Sequence, residues 1–315
     1  MPTVSRTATI AVLILVVATC GRVGAAEQML ELPLQTRDPQ TGEVKIEKIK
    51  VNPKEVGVVA VDMWNWHWCK TSTMRVGALV PRMNRCLEVA RDMGMQVFLC
   101  PSDVTDNYVG TPQLESLTVV QRIAVPKIKV INSPPAVDGG GCTCAGKHRC
   151  QVNFGWDGMA PDLVIGPDDL MPNDAQMLYS VCQAKGLKHL IYMGVHTQAC
   201  LLGKSIGLKY MTEAGMHCIL ARDLTDAHGR YEPEKGITPD DFTAEVVRHF
   251  EKYLSPTINM GDTLRAAGKW DESWIVDPIR IAPWGIPTRP HLFEDDEITV
   301  TLTSPLLNTR SECPN

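Results

Sequence analysis

The chain has 315 residues, of which 44% are hydrophobic, and a formal net charge of −5 with no basic tract. That length can bury a large core, and the slight acidity argues against nucleic acid as a partner, because phosphate binding draws on clustered Lys and Arg. Eleven cysteines are many, and their chemistry depends on the compartment.

Residues 1–26 carry Arg6, an apolar run from Ala8 to Ala18 and a small-residue end at VGAA. This reads as a secretory signal peptide, too short for a membrane span. Lipid attachment at Cys20 is a minor alternative. No later apolar run has membrane length, so no span is expected after cleavage. Export (periplasmic or secreted) permits disulfides.

In residues 27–54 the runs LELPLQ and EVKIEKIKV flank the turn-forming DPQTGE, which predicts a β-hairpin. Val56 to Val61 is continuously apolar, as a central parallel strand should be, and Asp62 stands just past its end. Catalytic groups gather at that end of strands in open α/β sheets, although a turn aspartate would look the same. Trp64, Trp66 and Trp68 then interleave with His67. They form either a pocket wall beside Asp62 or a satellite core, and His67 is either a ligand or base, or a packing residue. A helix is expected from Val80 to Met93 and a strand from Val97 to Cys100.

The loop from Pro126 to Cys150 holds Cys142, Cys144, Cys150 and His148. Three thiolates and an imidazole could bind zinc, but C-x-C-x5-C lacks the usual two-residue knuckle. With export, at least one disulfide is the favoured expectation. A short strand at Leu163 to Ile165 and a helix from Asp174 to Gly186 follow.

Leu190 to Met193 reads as a buried strand broken at Gly194, then come VHTQAC, a helix from Cys200 to Met211, a glycine stop at Gly215 and a strand from Cys218 to Ala221. This is a parallel βαβ unit. With Thr197 as N-cap, Cys200 lies in the first helical turn, where the dipole favours a thiolate. A thiol that merely packs is the competing reading. Asp226 and His228 follow the last strand, on the rim shared by Asp62 and Cys200. A helix is expected from Pro239 to Tyr253, and the alternation in ITVTLTS at 298–304 predicts a further strand.

GVHTQAC resembles the G-V-x-T-x-x-C nucleophile turn of the isochorismatase-like cysteine hydrolases, the superfamily of nicotinamidases and N-carbamoylsarcosine amidases. VVAVDMWN resembles their first strand, and the pair DMWNWHWC and MGVHTQACLLG looks like an exported bacterial subgroup. The resemblance covers about residues 55–260. It implies a Rossmann-like three-layer α/β/α sandwich with a mostly parallel sheet, a small β addition from the termini, and a C-terminal extension at 261–315. It also implies Cys200 as nucleophile, Asp62 as base, a turn of Gly194, Val195 and Thr197 that cradles an oxyanion, and a cis Val195-His196 peptide.

Metal-binding members carry Asp-x-His. Here Asp103 matches the Asp but Thr105 replaces the His, so a nicotinamidase-type metal site is not expected there, and no cofactor is expected. The family lysine is also not found, and Lys147 and Lys185 are out of place. The charge it would supply falls to His196 or, failing that, His67. With Trp64, Trp66, His67 and Asp103 lining a pocket, the implied activity is hydrolysis of an amide or related C–N bond of a small molecule through a thioester. The alternative is a non-catalytic binding or structural protein on the same scaffold. Homo-oligomerisation stays open.

Overall fold

The computed structural model describes residues 29–134, 141–144, 150–152, 156–229 and 232–270. The signal segment, His148 and the strand expected at 298–304 lie outside the described residues.

The apolar run Val56–Val61 forms β3 at the heart of the sheet, with β4 (Gln96–Cys100) on one side and β5 (His189–Val195) on the other. β6 (His217–Asp226) and β7 (Thr257–Ile258) continue the parallel set. The hairpin of β1 (Leu30–Arg37) and β2 (Val44–Val51) is as expected and joins β7 antiparallel, giving the order β2-β1-β7-β6-β5-β3-β4. Glu251 fastens this junction, accepting from Gln35 and Arg37.

Helices cover both faces: α1 (Lys70–Asp92), α2 (Pro112–Glu115), α3 (Ala175–Lys185), α4 (Cys200–Gly203), α5 (Leu208–Glu213), α6 (Pro239–Tyr253) and α7 (Met260–Ala266). Because side chains alternate along a strand, Val56, Val58 and Ala60 pack with α1 and α7, while Val59 and Val61 pack with α3, α5 and α6. The result is the three-layer, mostly parallel α/β/α sandwich.

Four local expectations are corrected. α1 starts ten residues before Val80 and carries Pro81 inside it. The proline forgoes one backbone bond, but buried Arg75 anchors the preceding turns. The helix expected over 200–211 breaks into α4 and α5, because the chain folds back at Gly207, where a Cβ would lie 2.7–2.9 Å from the carbonyls of Lys204, Leu202 and Leu201. Leu163 to Ile165 forms no strand. Val164 and Ile165 are exposed, and it is Leu170 that bonds to the edge of β4, through Leu99 N–H and Val97 O. β6 runs five residues past Ala221 and bulges: Tyr192 faces Leu220, but Gly194 faces Thr225.

Candidate active site

Asp62 and Cys200 leave adjacent parallel strands at the same carboxyl edge, the first just past β3 and the second at the start of α4 after β5. The crossing is tight. Gly194 has φ 103°, and a Cβ there would meet the Val61 carbonyl oxygen at 2.1 Å, so only glycine lets β5 come this close to the root of Asp62. The Val195-His196 peptide is cis. Thr197 does not cap the helix. Its hydroxyl meets that of Thr225 at 2.7 Å, and Thr225 donates to the Gly194 carbonyl, so Thr197 braces the turn from beneath. The residue preceding α4 is Ala199, which makes no side-chain cap.

The Asp62 side chain is completely buried. Oδ1 accepts from the backbone N–H of Ser102 at 2.9 Å and from the Ser102 hydroxyl. Oδ2 has the Lys204 ammonium 3.6 Å away, and the carboxylate interacts with the Cys200 thiol. Burial raises the Asp62 carboxyl to about 6, against the pull of Lys204, Ser102 and Cys200. Burial and then the Asp62 charge push the Cys200 thiol up to about 12, while Lys204 works the other way. Burial would lower Lys204, but Asp62, Asp103 and Cys200 together hold its ammonium above the ordinary lysine value.

The resting pair therefore keeps its proton on sulfur, and the cation beside it is Lys204. This corrects the assignment of that charge to His196 or His67. Both imidazoles are buried, and burial lowers each below the usual histidine value, for His67 against its hydrogen bond with Cys69 and for His196 together with the neighbouring imidazoles. Asp103 is exposed and pairs with Lys204. Thr105 is buried, with its hydroxyl on Pro101 O.

The tryptophan-rich stretch builds one wall. Trp64 stacks on Trp156 (4.8 Å between ring centres) and on His67 (5.2 Å), with His196 edge-on at 5.3 Å. His67 lies 5.1 Å from His196 and 5.0 Å from His228, while Trp68 meets both His67 and His228. Trp66 is half-buried. The Nε2 atoms of His196 and His228 are buried and have no hydrogen-bond partner among the described residues. Asp226, expected on this rim, is taken up below it: Arg75 of α1 reaches it with two bonds (3.0 and 2.8 Å) and also holds Asp240.

Two groups have ligand atoms within 4.8 Å of one another, as a metal ion would need: His67, His196 and His228, and Cys69, Cys142, Cys144 and Cys150. The disulfide expected among Cys142, Cys144 and Cys150 is not formed. With Cys69 they make a cluster whose closest sulfurs are 3.6–3.9 Å apart, beyond any S–S bond.

Sequence reasoning missed Lys204, Ser102, Trp156 and Cys69. Lys204 was signalled: it stands four residues after Cys200, the spacing that puts two side chains on one side of a helical turn.

The fold and the site define an α/β chain with a thiol, a carboxylate and an ammonium gathered at the carboxyl edge of a parallel sheet, and in these features and its two motifs it is similar to isochorismatase-like cysteine hydrolases. No protein-family model matches the chain. Among curated proteins it is 23% identical over 171 residues to the ureidoacrylate amidohydrolase RutB of Caulobacter segnis, an alignment that takes in 49% of this chain and 66% of that protein, just under two thirds of its length. Among solved structures, a cysteine hydrolase from Pseudomonas syringae is 15% identical with a TM-score of 0.43, covering 75% of this chain and 98% of the other. N-carbamoylsarcosine amidase from Thermoplasma acidophilum is 11% identical with a TM-score of 0.32, covering 65% and 96%.

Proposed function

We propose that the protein is a cysteine hydrolase that cleaves an amide or related C–N bond of a small molecule through a thioester on Cys200. The convergence of Asp62, Lys204 and Cys200 carries this reading. Asp62 takes the thiol proton as sulfur attacks the carbonyl carbon, and the C–O π electrons move to oxygen. The amides of Ala199 and Leu201 are spent on the His196 carbonyl. The N–H of Cys200 between them is the donor proposed for the oxyanion. The tetrahedral intermediate collapses, the C–N bond breaks, and the nitrogen leaves with the proton held by Asp62. A water then gives its proton to Asp62 and hydrolyses the thioester. The new acid departs and sulfur is reprotonated. Lys204 lowers the cost of negative charge on sulfur and carboxylate throughout.

The non-catalytic alternative rested on a missing ammonium and on the crowding of Trp and Cys, and Lys204 weakens the first of these supports. The relative's name makes ureido and carbamoyl compounds the first substrates to try. Export stays part of the proposal.

The test is a panel of amide, ureido and carbamoyl substrates with wild type and Cys200→Ala, followed by intact-protein mass spectrometry. The expected result is turnover whose kcat/KM climbs through about pH 6 as Asp62 ionises, with an acyl adduct confined to Cys200. Turnover that survives Cys200→Ala, or an acyl adduct that forms on a residue other than Cys200, refutes it.

A further inference from the structure

The proposed hydrolysis makes no use of the four-sulfur cluster. Cys69 sits at the N-terminal cap of α1, and Cys142, Cys144 and Cys150 come from a loop more than seventy residues later. All four are buried. Cys69 Sγ is 3.7 Å from Cys142 Sγ and 3.9 Å from Cys144 Sγ, and Cys144 Sγ is 3.6 Å from Cys150 Sγ. Four thiolates around zinc at ~2.3 Å form a tetrahedron with edges of about 3.8 Å. The three edges fall on that value, whereas a disulfide would draw two sulfurs to about 2.05 Å.

The surroundings also suit thiolates. Thr143 N–H donates to Cys69 Sγ at 3.2 Å, and the amides of Cys144 and Cys150 donate to Cys142 Sγ at 3.4 and 3.3 Å. The Thr71 hydroxyl donates to Cys144 Sγ at 3.3 Å. Neutral thiols are weak acceptors, so four donors aimed at three sulfurs fit metal-bound thiolates, whose charge such outer contacts spread.

We propose that Cys69, Cys142, Cys144 and Cys150 bind one zinc ion in a closed, four-thiolate structural site. On binding, four S–Zn bonds form and the thiol protons pass to solvent. With every position filled by sulfur, no water is bound for chemistry, so the ion serves the fold. It clamps the loop to the start of α1. The clamped loop places the Thr143 hydroxyl to accept from Gly229 N–H at 3.1 Å and to meet Ser72 at 3.5 Å. That fixes the segment carrying His228 against the His67–Trp68 wall.

The experiment is elemental analysis of the full-length protein as purified, beside Cys142→Ser/Cys144→Ser and His228→Ala. One zinc per chain is expected in wild type and His228→Ala, and under a tenth of that in the double variant. Chelated protein given Co²⁺ alone should take up one ion per chain, with thiolate-to-metal charge-transfer absorption and tetrahedral d–d bands. Should the double variant fail to fold, Cys150→Ser keeps the test: its cobalt bands shift as oxygen replaces one sulfur. Zinc kept by the double variant, zinc lost from His228→Ala, an unshifted cobalt spectrum in Cys150→Ser, or a stoichiometric disulfide among the four overturns the site. None of these readings needs turnover, so they stand apart from the hydrolase proposal.

Discussion

Replacing Asp62 by Asn should end turnover, but its more exacting consequence is for stability. In the fold the carboxyl lies near 6, against an ordinary 3.8, chiefly because burial penalises the charged form. A carboxyl raised on folding favours the fold below its unfolded pKa, and that contribution is lost as pH climbs through the folded value. Fully developed, the ionised side chain opposes folding by about 3 kcal/mol, of which about 2 kcal/mol accrues between roughly pH 4.5 and 7.5. Asn keeps an oxygen for the two Ser102 bonds and never ionises. Its intrinsic cost or gain is the same at every pH, as is any change in other groups shared with wild type. Urea unfolding of both proteins across this range, followed by circular dichroism, should therefore show the gap moving in favour of Asp62→Asn by about 2 kcal/mol as pH rises. A gap that stays constant, or moves the other way, would mean that Asp62 is not held raised by burial, and the base assignment would lose its physical footing.

Lys204→Met should lower kcat/KM by roughly a hundredfold and slow Cys200 alkylation at neutral pH, because the thiol rises further without its cation, and Lys204→Arg should restore part of both. Gly194→Ala, with φ 103° and a Cβ 2.1 Å from the Val61 oxygen, should cost roughly 3 kcal/mol or more and be read as a drop in thermal midpoint or soluble yield. Arg75→Met removes the guanidinium that pairs with buried Asp226 and Asp240 and should cost roughly 3–5 kcal/mol. The triple change with Asp226→Asn and Asp240→Asn should recover most of the loss.

The parallel sheet was legible because β3, β5 and the start of β6 are short apolar runs that only a two-sided buried strand explains. The turn that carries Cys200 and the place of Asp62 on the neighbouring strand end followed from motif and placement together. What stayed hidden was assembled across distance. Lys204 was overlooked because its charge was sought after an upstream strand, while the chain supplies it one turn beyond Cys200. Cys69 was counted with the tryptophans, and nothing local joins it to a loop more than seventy residues away. The imidazole group draws on three separate segments, so no single stretch displays it. The strand expected at Leu163 rested on three apolar residues, too few to outweigh the Gly166-Pro167 that follows.

α1 is keyed to its surroundings along its whole length. Arg75 engages Asp226 and Asp240, Arg82 engages Asp223 in the bulge of β6, and Arg91 grips Asp169 with two bonds of 2.9 and 2.7 Å. A slip by one helical turn would displace every pair by about 5.4 Å at once, and most of the carboxylates concerned are buried where no water can take over. Sliding of this helix over the sheet is thus not available as a way to admit substrate. The frame beneath Asp62 and Cys200 should therefore hold the same spacing whether or not a substrate is bound.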